Sequence, residues 1–279
     1  MKIGTVLRAF TYFGDDGYKK LADIGYGAVD INLGTEDHII HTASEDEVTE
    51  YLLRHKELAR EAGIEISQAH GPWRFPTKDA TEEDRADRMA RMKRSIHACS
   101  VLGCDNWIIH PIMPFTHSTP EDKYEETWNL NLKFMRELLS YAKEQGVTIC
   151  FENMPFKFFP ISRPEEILKF VKEINDDHFK ICLDTGHVSI YEDLNAGDAA
   201  RLFGNEIRTL HVHDNNGKAD QHAAPFYGII NWQDFRLALE EINYKGVFSL
   251  ETAPPQNMPA DAFEAMLKAY YITAKSIIE

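Results

Sequence analysis

A chain of 279 residues, 43% hydrophobic and 27% charged, has the composition of an ordinary globular protein and leaves no room for a long disordered tail. Its formal net charge of -15 weighs against nucleic acid or an anionic membrane as partner. No apolar run approaches the roughly 18 residues that a membrane span needs.

The length suits one α/β barrel, which usually takes about 250 residues. We read residues 1–279 as a single domain. Met1-Lys2-Ile3-Gly4-Thr5-Val6 leads straight into a strand-like segment, with no apolar stretch and small-residue cleavage site, so the expected location is cytoplasmic. Cys99, Cys104, Cys150 and Cys182 lack a zinc-knuckle spacing, and two of them fall inside predicted strands. Reduced, buried thiols are expected.

In chain order the strand candidates are Ile3–Leu7, Ala28–Asn32, Glu65–Ala69, Asn106–His110, Thr148–Glu152, Phe179–Asp184, Ile207–His213 and Val247–Glu251. Helical period fills the intervals. Met89, Met92, Ile96, Cys99 and Leu102 form one apolar stripe, and Trp128, Leu132, Met135, Leu139 and Ala142 form another. Ser44 with Glu47 and Ser162 with Glu165 fit capping boxes, Thr119-Pro120 fits a cap followed by proline at the first helical position, and Gly63 and Gly146 fit helix stops. Strict alternation implies a parallel sheet, and eight repeats favour closure into a single (β/α)8 TIM barrel. The open doubly wound sheet is the alternative, but the first strand is not followed by a Gly-x-Gly-x-x-Gly turn.

The chemistry stands where the later strands end. The third runs into His70, the fourth ends at His110, and the fifth at Glu152. The sixth ends at Asp184 with His187 three residues on, the seventh carries His211 and His213, and the eighth ends at Glu251. Asp, Glu and His together make up about one residue in five, so one at all six ends is not expected by chance. In a closed barrel these ends converge on one mouth. Carboxylates gathered there call for compensating cations, and mixed oxygen and nitrogen donors suit a divalent metal.

His70-Gly71-Pro72, His110-Pro111, Phe151-Glu152-Asn153, Asp184-Thr185-Gly186-His187, His211-Val212-His213-Asp214, Asp220-Gln221-His222 and Leu250-Glu251-Thr252, in that order, resemble the xylose-isomerase-like barrels. That group includes sugar isomerases and epimerases, inosose-processing enzymes and apurinic-site nucleases of the endonuclease IV type. The resemblance implies a metal site of Glu152, Asp184, His211 and Glu251. It implies His70, His110, His187, Asp220 and His222 as the further ligands of a multi-metal site, one to three ions in all. In single-metal relatives the residue matching His187 contacts substrate. His213 and Asp214 are read as groups orienting His211. The histidine-rich set favours Zn2+ or Mn2+ over Mg2+, with Co2+ and Fe2+ also compatible.

Two reactions compete. A nuclease must hold several phosphates, yet the mouth loops supply only Arg74, Lys78, Lys157, Arg163 and Lys218 against acidic stretches at 35–37, 44–47 and 191–193. The loop after the eighth strand, 252–257, has no cation, which disfavours even a sugar phosphate. Trp73, Phe75, Phe115, Phe156, Phe158, Phe159, Phe226 and Tyr227 instead suit a pocket for a small carbohydrate or polyol, with Trp73, Lys157 and His187 as substrate contacts. The expected activity is therefore a metal-dependent sugar isomerase or epimerase. Glu152 and Glu251 would exchange a proton on carbon through an enediolate, and a homo-oligomer is compatible with this. The endonuclease IV-like phosphodiesterase and an inosose dehydratase-type lyase are the alternatives. Ketose 3-epimerases of this group commonly carry an acidic residue six positions after the first glutamate and an arginine six after the histidine; here those positions are Phe158 and Gly217.

Overall fold

Each predicted strand forms, in a computed structural model that describes residues 1–73 and 78–279. They are β1 (Ile3–Val6), β2 (Ala28–Asn32), β3 (Glu65–His70), β4 (Asn106–Ile109), β5 (Thr148–Glu152), β6 (Phe179–Asp184), β7 (Ile207–His211) and β8 (Phe248–Leu250). The expected bounds hold to within one or two residues at each end. The strands pair in parallel in the order β7-β6-β5-β4-β3-β2-β1-β8. The two outer members meet at Val212, whose N–H donates to the Ser249 carbonyl oxygen at 2.9 Å and whose own carbonyl accepts from the Glu251 N–H at 3.0 Å. These two bonds close the sheet into a (β/α)8 barrel. Arg74 and Phe75, named above among the mouth-loop residues, lie outside the described residues.

The helices cover the barrel with the faces their periodicity predicts. Glu82–Leu102 buries Met89, Met92, Ile96, Cys99 and Leu102, and Tyr124–Glu144 buries Leu132, Met135, Leu139 and Ala142. Glu45–Ala62 opens on the Ser44–Glu47 capping box and stops at Gly63, which takes the left-handed conformation at φ 68°. Two end signals differ from expectation. The Ser162 hydroxyl is turned to the Met154 carbonyl oxygen at 2.9 Å, so Arg163 takes the cap position and the Glu166 carboxylate, not Glu165, accepts both flanking N–H groups. A 3-10 turn at Glu121–Lys123 intervenes after Pro120, so this proline precedes the helix instead of starting it.

Strand alternation sorts the side chains between the two sides of the barrel wall. Trp107, Ile109, Ile149, Phe151, Ile181 and Leu183 join the large core under the helices, whereas Ile108, Cys150 and Cys182 form a separate small cluster inside. All four cysteines are buried free thiols. Counting on by two from the inner residues reaches His110 on β4, Glu152 on β5 and Asp184 on β6, each at or just past its strand's C-terminal end. No helix among the described residues is long and apolar enough to cross a membrane.

Candidate active site

The same period carries His70, His211, His213 and Glu251 to the inner side at the same end, and the side chains meet. Glu152 lies at the centre. Its Oε2 accepts from His110 Nε2 at 2.9 Å and lies 3.6 Å from His70 Nε2, and its Oε1 lies 2.9 Å from His211 Nδ1. Glu251 Oε2 approaches the same His211 nitrogen at 3.4 Å. Asp184 accepts the His187 backbone N–H at 2.6 Å through Oδ1 and faces His213 Nε2 at 3.0 Å through Oδ2. Asp220 sits between His187 Nε2 and His222 Nε2, 3.2 Å from each. All nine residues expected as ligands therefore belong to one continuous constellation.

Depth differs across it. Glu152, Asp184 and His211 are fully buried, while the Asp220 and His222 side chains are 29% and 43% exposed at the rim. His222 holds a left-handed backbone at φ 46°, a conformation a non-glycine residue keeps only when its surroundings impose it. Here its carbonyl accepts from Thr252 Oγ1 at 2.7 Å and its Nδ1 donates to the Glu251 carbonyl oxygen at 3.0 Å.

The ionisable groups of the site shift one another strongly. Burial disfavours a charged His187, yet Asp184, Asp220 and Glu152 outweigh it and raise its pKa to about 10. His222 is likewise raised to about 10, with Asp220 and Glu251 overcoming burial. At Glu152 burial is outweighed by His211 and His110, which hold the carboxyl well below its usual range. Glu251 moves the other way, raised by burial and by Glu152 and Asp184 against the pull of His211 and His222. His110 is lowered to about 4 because burial exceeds the attraction of Glu152. Protons on the imidazoles balance the carboxylates, charges that a divalent metal held by these residues would supply in their place.

The donor set fits a divalent ion. His211 has carboxylate oxygens on both ring nitrogens, Asp30 Oδ2 at 3.0 Å from Nε2 and Glu152 at Nδ1. A neutral imidazole cannot donate to both. The buried atoms Glu251 Oε2, His213 Nδ1 and His110 Nδ1 have no hydrogen-bond partner among the described residues. His70–His110–Glu152, His70–His211–Glu251, Asp184–His187–His213 and His213–Asp220–His222 each bring three donor atoms within 4.8 Å of one another. Any of these groups could hold a cation.

Several side chains stand elsewhere than the sequence implies. His213 does not orient His211: its Nε2 points into the outer group of Asp184, Asp220 and Glu251, and Gly186 is required beside it because a Cβ there would fall inside the His213 ring. Asp214 turns away from His211 and accepts from the N–H groups of Asn215, Phe226 and Ile230 and from the Trp232 indole, tying down the loop that carries Asp220 and His222. Trp73 packs edge-on against His110 with ring centroids 4.5 Å apart, at the mouth as expected. Lys157 is exposed. Phe159 is buried core, while Phe158, Phe226 and Tyr227 are exposed. Asp30, at the mouth-facing part of β2, went unread in the sequence. Its spacing of two from Ala28 and Asn32 puts all three on one face, but nothing local pairs it with His211, 181 positions away.

A family model for the xylose isomerase-like TIM barrel matches residues 18–270, and the chain belongs to that family. The chain is 27% identical over 266 residues to a D-psicose 3-epimerase of Enterocloster bolteae, covering 90% of this chain and 82% of the relative. It is 26% identical over 239 residues to the D-psicose 3-epimerase of Agrobacterium fabrum, covering 84% and 77%. The crystal structure of a D-tagatose 3-epimerase-like protein superimposes over 100% of both chains with a TM-score of 0.76 at 26% identity.

Proposed function

We propose that this protein is a divalent-metal-dependent isomerase or epimerase of a small, non-phosphorylated sugar. The observation that carries the reading is the convergence of Glu152 and Glu251 on one imidazole nitrogen, at 2.9 and 3.4 Å, with Glu251 Oε2 buried and accepting no hydrogen bond. Glu152, Asp184, His211 and Glu251 would hold the principal ion, and His70, His110, His187, Asp220 and His222 would extend the set to further ions. A divalent metal held by these residues would supply Lewis acidity toward a carbonyl and its neighbouring hydroxyl. The chain's own part is proton movement at carbon. Glu152, wrapped by His110 and His211, is kept anionic and can take a proton. Glu251 enters three strands further round the ring, so it can return one from another direction. Trp73 closes the apolar side of the mouth beside His110.

The relatives named as epimerases of psicose and tagatose support the substrate class. The particular ketose differs in what reads it. Phe158 is 66% exposed where the resembling enzymes carry an acid, and Gly217 has φ 75°, a conformation that an arginine would rarely adopt. The rim group of His187, His213, Asp220 and His222 also suits the ligand-rich centre of a phosphodiesterase, the second reading. Against it, among the described residues Arg163 is paired with Asp193 at 2.7 Å and Lys78 lies 3.9 Å from Glu36, which draws these two cations away from a phosphate backbone.

The deciding experiment follows hydrogen exchange in D2O at the carbon next to the carbonyl, with metal-loaded protein and a panel of ketoses, aldoses and inososes. Exchange on at least one sugar is expected, falling on the order of 10²–10⁴-fold in Glu152→Gln. Metal-dependent nicking of abasic duplex DNA, with no exchange on any sugar, would establish the phosphodiesterase instead.

A further inference from the structure

Asp30 projects into the barrel from β2 and His211 from β7, on strands separated by β1 and β8, and neither is open to solvent at 2% and 0% exposure. Asp30 Oδ2 accepts from Gln68 Nε2 at 3.0 Å and lies 3.0 Å from His211 Nε2. Gln68 Nε2 also reaches the carbonyl oxygen of Leu210 at 3.2 Å, the residue before His211. The carboxylate is therefore fixed with respect to the very strand segment that carries the imidazole.

We propose that Asp30 is a positioning residue that sets the tautomer of His211, holding the proton on Nε2 so that the Nδ1 lone pair is offered to a divalent ion between Glu152 and Glu251. The inference rests on the metal-dependent reading above. Its logic is one of acceptors. An ionised carboxylate can only accept, so the nitrogen facing Asp30 must carry hydrogen. Nδ1 lies 2.9 Å from Glu152 Oε1 and 3.4 Å from Glu251 Oε2, so it too must carry hydrogen unless a cation among these oxygens frees its lone pair. A bare lone pair against two carboxylate oxygens is repulsive, and a cation placed among the three removes the repulsion. A carboxylate behind a ligating histidine also raises the basicity of the ring and stops it rotating.

The test is Zn2+ affinity measured by titration calorimetry, together with the tautomer of His211 read from imidazole nitrogen shifts in the Zn2+-loaded, nitrogen-labelled protein. Wild type should show a protonated Nε2. Asp30→Asn keeps the volume but lets the amide donate to Nε2, so the proton should move toward Nδ1 and Zn2+ affinity should fall about 10–100-fold. Gln68→Met, which frees Asp30 without touching His211, should lose affinity in the same direction but less. In a His211→Gln background, adding Asp30→Asn should cost no further affinity. Unchanged affinity in both single variants, or a wild-type His211 protonated on Nδ1, overturns the proposal. Wild type that binds no Zn2+ overturns it together with the metal half of the functional reading. Affinity lost in Asp30→Asn but no exchange on any sugar overturns the sugar reading alone.

Discussion

Asn153 and Asp184 hold each other by reciprocal hydrogen bonds: Asn153 Nδ2 donates to the Asp184 carbonyl oxygen at 3.0 Å, and the Asp184 N–H donates to Asn153 Oδ1 at 2.9 Å. One buried amide thus ties the end of β5 to the end of β6, and the backbone carbonyl oxygen of Asn153 accepts from His187 Nδ1 at 2.8 Å. Asn153→Ala strands a donor and an acceptor of Asp184 away from water. The expected loss is roughly 2–3 kcal/mol, read as a shift in the urea midpoint at constant slope. Wild-type stability in that variant would show that the strand ends are held by other means.

Asp214 makes a different kind of clamp. Its carboxylate accepts from three backbone N–H groups and the Trp232 indole, at 2.9 to 3.2 Å. Asp214→Ala should speed amide hydrogen exchange at Phe226 and Ile230 and leave the amides of β3 to β5 protected as before. A uniform rise in exchange across the chain would mean that the carboxylate supports the whole barrel, not the loop.

The acid limb of stability has a source far from the mouth. His55 is buried between the rings of Phe10 and Tyr51, each 4.4 Å away, and its Nδ1 is hydrogen-bonded with the Tyr18 hydroxyl at 2.9 Å. Burial, aided by Arg54, lowers its pKa from 6.5 to about 4. The unfolded chain takes up this proton first as the pH falls. Stability from His55 is therefore complete above pH 6.5, is lost through the window down to about pH 4, and amounts to roughly 3 kcal/mol. Urea midpoints at several pH values should fall less steeply in His55→Gln than in wild type, and equal slopes would refute the assignment.

The number of ions is open to direct count. Two distinct groups, His70–His110–Glu152 and His213–Asp220–His222, lie at opposite sides of the constellation, so more than one equivalent of Zn2+ or Mn2+ should bind, in preference to Mg2+. His222→Ala should remove the weaker equivalent and spare the tighter one. Chelation should lower the melting temperature, since a ligand at about 100 times its Kd adds roughly 2.7 kcal/mol to the folded state. One equivalent, untouched in His222→Ala, would confine binding to the inner residues.

How much of this was readable from the sequence depends on the range of each interaction. The period of two within a strand is local, so His110, Glu152, Asp184 and His211 could be placed on the inner side before any fold was known. The same rule applies to His213, two residues past His211, and its assignment to a supporting role overlooked that both must face inward. Asp30 was out of reach for another reason: it is not the last residue of its strand, and its partner comes from the far side of the ring. Lys157 and Phe158 depended on loop conformation, which periodicity does not govern. Ser162 offered the right hydroxyl for a cap, but the Met154 carbonyl oxygen took it.

Among the described residues, the backbone hydrogen bonds that join β7 to β8 are made at Val212, with Ser249 and Glu251 as partners. Val212 is flanked by His211 and His213, so the residues that shut the ring are also those that gather the donors. His211 and Glu251, one on each side of this seam, would both hold a divalent ion, as a rivet across the last gap of a hoop. Its release would then leave the cylinder free to unzip from that edge, making the time the protein survives against unfolding a property of its cargo as much as of its core.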